Sequence, residues 1–181
     1  MKRLALISAI LALALFAAEA SEKTRVSRNL MATMERNLDD RCKHLWNDNP
    51  FVLLDGDARS VYLEGYGAVF TVSVNLVTSP TLTFRPEMTK TEMADHRRKK
   101  MERLPQLKAE MRKALTDFAA SLDPVPADEQ IVIAVLLTKY PWEDVSGLPT
   151  EIVLQGQKKK LLEAKSAGGA GLDAAIHVTE N

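Results

Sequence analysis

Between Val61 and Leu76 the alternation of apolar residues changes phase, and this change restricts how the chain can build a sheet. Val61 and Leu63 stand at odd positions, whereas Ala68, Phe70, Val72, Val74 and Leu76 stand at even ones, with Thr71, Ser73 and Asn75 between them. Side chains along a strand alternate with period two, so one regular strand cannot turn both sets to the same face. The break falls at Gly65-Tyr66-Gly67, where two glycines permit a bulge or a sharp bend. The other solution is two separate elements joined by a tight connection. Both solutions make the backbone around Tyr66 unusual.

The rest of the chain supplies the partners for such a sheet. Val26, Leu30, Met34, Leu38, Cys42 and Leu45 recur at spacings of four and three, which predicts an N-terminal helix with one apolar stripe. Asn47-Asp48-Asn49-Pro50 ends it. Phe51-Val52-Leu53-Leu54 is a short apolar run closed by Asp55-Gly56-Asp57, a turn signal. Thr78 to Pro86 reads as an extended connection. A long helix is expected from about Thr91 to Leu122, with Leu104, Leu107, Met111, Leu115, Phe118 and Leu122 on its apolar stripe. Pro105 has no N–H to offer Met101, so its two halves are expected to be kinked or separate.

Ile131 to Leu137 is apolar throughout and rich in β-branched residues, the pattern of a strand central in its sheet or covered on both faces. Pro141 to Pro149 reads as an ordered surface loop. Glu151 to Leu154 reads as a strand, Lys158 to Lys165 as a short basic helix, and Ala175 to Val178 as a final strand. Gly168-Gly169-Ala170-Gly171 reads as a flexible break. This order predicts an α+β fold: an antiparallel-rich mixed sheet packed by the N-terminal helix and the long central helix. It resembles the order in roadblock and profilin-like domains, a likeness of topology that implies no function.

The first twenty residues predict export. Lys2 and Arg3 precede an uncharged run from Leu4 to Ala18, and Ala18-Glu19-Ala20 is a small-x-small cleavage pattern before Ser21. Fifteen apolar residues make only about 22 Å of helix at about 1.5 Å per residue, short of a bilayer core of roughly 30 Å. Residues 1–20 are therefore expected to be a cleaved secretory signal, and 21–181 one α+β domain with no transmembrane segment. Without the signal the chain carries 22 basic and 23 acidic residues. That balance gives no pull toward nucleic acid or anionic lipid.

The stretch Val61-Tyr62-Leu63-Glu64-Gly65-Tyr66-Gly67-Ala68-Val69-Phe70-Thr71 resembles a segment of exported bacterial proteins without an assigned activity. The resemblance extends to the apolar strand Ile131–Leu137 and the basic helix after Leu154. It implies a bacterial envelope protein, periplasmic or extracellular, and carries no catalytic residues over.

Signatures of well-marked enzymes are missing. There is no H-E-x-x-H, nucleophile elbow, P-loop or Cys-x-x-Cys. His44, His96 and His177 are too scattered to predict a metal site, and the methionines fit core stripes better than a thioether copper site. No metal or cofactor is expected. The run from His96 to Lys100 and the triplet Lys158-Lys159-Lys160 read as solvated helix faces. Cys42, the only cysteine, lies on the apolar stripe and is expected to be a buried thiol.

What remains is Tyr62, Glu64 and Tyr66 around the two glycines, with Asp57 upstream. A bulge there would aim phenols and carboxylates at a ligand. The expectation is a non-catalytic module that binds a protein or a small ligand in the cell envelope through these residues. The alternative is an envelope hydrolase using Glu64, Tyr66 and Asp57.

Overall fold

The computed structural model describes residues 26–46, 58–77, 88–169 and 171–181. The expected secretory signal, the Phe51–Leu54 run, the Asp55-Gly56-Asp57 turn and the whole Thr78–Pro86 connection lie outside these residues.

Helix α1 spans Arg28–His44. Its N-cap Ser27 accepts a hydrogen bond from the Leu30 N–H at 3.2 Å, and Arg41, Lys43 and His44 lie in its last turn, where cations complement the helix dipole. Met31, Met34, Leu38 and Cys42 point into the core. Strands β1 (Arg59–Leu63) and β2 (Gly67–Val74) follow, then helix α2 (Lys90–Ser121), strands β3 (Gln130–Leu137) and β4 (Glu151–Gln157), helix α3 (Lys158–Ser166), the single turn α4 (Leu172–Ala175) and strand β5 (His177–Glu180). The fold is α+β.

The five strands lie side by side in chain order. Every neighbouring pair is antiparallel except β2 and β3, which are parallel and are joined through α2. A parallel pair needs such a crossover, because no tight turn can return the chain to the same end of the sheet. Thus β3 is the central strand, as its unbroken apolar run predicts.

Both main helices pack on one face. Phe70 of β2 meets Phe118 of α2 with ring centroids 4.8 Å apart. Val72, Ile131, Ile133, Ile152 and Leu154 join Leu38, Leu107, Met111 and Leu115 in one buried cluster. Burial of this kind is worth about 1.5–3 kcal/mol for each large side chain.

The phase change has a simpler origin than a bulge. Strands β1 and β2 form a hairpin whose register pairs Val61 with Val69, Tyr62 with Ala68 and Leu63 with Gly67. Odd residues therefore share one face and even residues the other across the whole hairpin. Val61 and Leu63 are not core residues: they stand 49% and 47% exposed on the face away from the helices.

Helix α2 also departs from expectation. It is one continuous helix with Pro105 inside it, so its halves are not separate. Thr89 and Glu92 form a capping box at its start. Its opposite end is closed by Lys158, which is buried rather than solvated. The Lys158 ammonium donates to the carbonyls of Leu122, Asp123 and Val125 at 2.8, 3.1 and 2.7 Å, satisfying acceptors that the helix end leaves open.

Candidate functional site

The β1–β2 turn occupies one corner of the sheet. Gly65 and Gly67 have φ of +81° and +136°. At Gly67 a Cβ would fall 1.9 Å from the Gln130 carbonyl oxygen, so this strand start admits only glycine. The Tyr66 N–H donates to the Leu63 carbonyl at 3.0 Å, and the Tyr66 carbonyl accepts from the Gln130 N–H at 2.7 Å. The Gly65 N–H donates to Glu129 Oε1 at 2.9 Å. The turn is therefore tied to the start of β3 through both backbone and side chain.

The sequence-predicted residues separate around this turn. Tyr62 lies on the helix-facing side, half-buried and packed against the core. Its phenol is pushed up to about 12, by desolvation first and then by the Glu129 carboxylate, with charge from Glu64 and Asp128 adding to it. Glu129 acts on the phenol first as a hydrogen-bond partner and then through its charge. Glu64 and Tyr66 stand exposed on the turn itself, Tyr66 at 44%. Asp57 lies outside the described residues. The structure thus brings Glu129 and Glu64 into electrostatic reach of Tyr62 while leaving Tyr66 to solvent.

Beside the turn lies the larger feature. Alternation places Arg59, Val61 and Leu63 of β1, Val69, Thr71 and Ser73 of β2, Gln130, Val132, Ala134 and Leu136 of β3, and Glu151, Val153, Gln155 and Gln157 of β4 on the sheet face opposite the helices. No described helix covers that face. Its middle is apolar: Val61, Val69 and Val132 are neighbours across three strands, and Ala134 pairs with Val153 in the next row. Leu136 is 46% exposed, whereas Val132 is only 5% exposed. The remaining border is polar, with Gln130 beside Gln157 and Gln155 beside His177.

A second cluster, buried and charged, was missed by reading the run His96–Lys100 as a solvated face. His96 and Lys100 are 6% and 3% exposed. They extend the α2 stripe back from Leu104 in steps of four, and that spacing was the available signal. Lys100 Nζ lies 2.6 and 2.8 Å from the two oxygens of Glu143 and 3.1 Å from the Thr138 carbonyl. His96 Nδ1 is 3.5 Å from Glu143, and its Nε2 is 3.1 Å from the Val77 carbonyl. Tyr140 and Trp142 stack at 5.4 Å, with the His96 ring edge-on to Trp142. The loop between β3 and β4 is thereby fastened to the helix by an ion pair under aromatic cover.

The other candidates fall into place singly. Cys42 is buried, and desolvation with nearby Asp39 and Glu110 pushes its thiol up to about 12, which leaves almost no thiolate at neutral pH. His44 and His177 are exposed, at opposite ends of the described chain. Among the described residues no three His, Cys, Asp or Glu side chains gather closely enough to hold a metal ion, and no helix is long and apolar enough to cross a membrane.

Fold and site together define a class: an α+β protein whose sheet, among the described residues, carries helices on one face only and has an apolar centre on the other. No family model, no curated protein and no solved structure matches the chain.

Proposed function

We propose that this chain is an exported, non-catalytic module of the bacterial envelope or its surroundings that binds another protein through the uncovered sheet face, with the β1–β2 turn at its corner. The observation that carries this reading is the apolar centre of that face. Val61, Leu63 and Leu136 are each nearly half exposed, and Val69, Ala134 and Val153 continue between them. Scattered apolar residues on a surface are ordinary, but a contiguous patch rimmed by polar groups is the mark of an interaction site. Tyr66 adds an exposed aromatic ring at the corner, a residue type enriched where proteins bind. Export rests on the tripartite character of residues 1–20.

The hydrolase alternative has no comparable support, since Glu64 and Tyr66 stand on an exposed turn rather than in a cleft. The test compares proteins captured from envelope extract by the wild-type chain and by Leu63→Lys. A protein held by the wild type and lost with the variant, identified by mass spectrometry, supports the reading. Identical capture by both chains would overturn it.

A further inference from the structure

We infer that the partner of the uncovered face is a second copy of this chain, the two sheets stacking face to face about a two-fold axis. This rests on the reading of that face as a protein-binding surface and names its occupant.

Three features fit self-association. The first is shape. A sheet face that packs on its own copy needs no pocket, only two gently twisted surfaces, and such sheets stack about 10 Å apart with strands nearly aligned. Val61, Val69, Val132, Ala134 and Val153 are all short, so neither face carries a long apolar side chain at its centre to hold the sheets apart.

The second is charge. An axis parallel to the strands and lying over β3 sets β1 of one copy opposite β5 of the other, and β2 opposite β4. Arg59 stands at the β1 border of the face, and Glu151 stands on β4, one row along. The rotation brings each Arg59 toward the partner's β4–β5 border, so opposite charges meet at both ends of the interface. The near-balanced charge of residues 21–181, 22 basic against 23 acidic, adds little repulsion between copies.

The third is area. Five strands about 4.8 Å apart and roughly six residues of about 3.3 Å each give a footprint of roughly 480 Å². Two copies therefore cover about 1,000 Å² before side-chain relief enlarges it, the lower bound for a specific interface. Such a dimer is weak and depends on concentration.

Sedimentation velocity on the full chain, expressed with its leader and recovered after export, reads this directly. Between about 1 and about 300 μM the weight-average mass is expected to rise from one chain toward two, the range in which weak interfaces populate. Leu136→Lys, on β3 near the axis, sets like charges against each other, and Val61→Lys puts a charge within the interface; each should raise the midpoint at least about tenfold. Ala134→Cys on β3, close to the axis, should be joined to its copy by a short bismaleimide crosslinker, since facing Cα atoms about 10 Å apart lie beyond the reach of a direct disulfide, whereas Asp173→Cys on the exposed α4 should not. Buried Cys42 stays silent in both.

A wild-type chain that remains monomeric at the top of this range overturns the inference. So do lysine variants that associate like the wild type. If a lysine variant loses its far-ultraviolet circular dichroism, the Ala134→Cys arm decides, with absence of crosslinking counting against the dimer. A monomeric wild type that still captures another protein in a Leu63-dependent way defeats only the second copy as partner. Loss of both defeats the binding face altogether.

Discussion

Lys100 and Glu143 show what a single buried charge demands. Each side chain is 4% exposed, and each is the opposite charge that offsets the other's desolvation. Removing one partner strands the other, so Lys100→Met or Glu143→Gln is expected to lower unfolding free energy by ~3–5 kcal/mol in urea titrations. Replacing both, as Lys100→Met with Glu143→Leu, should recover most of that loss, because two desolvated charges give way to apolar contact. Single variants with the wild-type midpoint would show that the pair holds nothing.

His96 belongs to the same cluster and makes stability depend on pH. Burial lowers its pKa, with Lys100 and Lys99 acting in the same direction and Glu143 and the Val77 carbonyl acting against it. The unfolded histidine therefore binds its proton more readily than the folded one. Its contribution is complete above the unfolded value of about 6.5 and is lost as pH falls through the folded value. In His96→Gln the urea midpoint should fall less steeply between about pH 7 and about pH 5 than in the wild type. An unchanged slope would assign the acid sensitivity to other groups. The charge run masked this cluster, and only the step of four from Leu104 to Lys100 to His96 signalled it. Lys158 was hidden in the same way, and its role became visible only with the end of α2 beside it.

At the scale of elements, most of the architecture was legible. The apolar stripes located α1 and the second half of α2, and the unbroken run at Ile131–Leu137 located the central strand. The hairpin was half legible. Its glycines marked the reversal, but the parity of the register, which sends Val61 and Leu63 outward, is set by how many residues the turn contains. The short turn α4 carried no periodic signal.

The two glycines of the turn differ in a way that can be measured. Gly65 has open space around its missing side chain, so Gly65→Ala should cost only the left-handed backbone penalty of ~1–2 kcal/mol. Gly67→Ala must also push the Gln130 backbone away and break the seam between the hairpin and β3, a loss expected to exceed that of Gly65→Ala by at least ~1 kcal/mol. Thermal unfolding of both variants would check this order, and equal losses would mean that the seam yields freely.

At the scale of the whole molecule, the one-sided sheet was not legible at all. Sequence alternation shows that a strand has two faces, but an apolar outer face at Val61, Val69, Val132 and Val153 looks the same in one dimension as a core. Only the placement of every described helix on the other side distinguishes them. If the stacked dimer forms, those valines are a core shared by two chains, and the apparent excess of apolar strand residues is accounted for.

The parallel pairing of β2 with β3 has a temporal consequence. Gly67 and Gln130 lie about sixty residues apart in sequence, and contacts that close such long loops are slow to form because the entropy is lost before the contacts can offset it. The middle of this sheet cannot assemble until α2 has been made and folded back. A chain built this way becomes compact only once its second half has arrived.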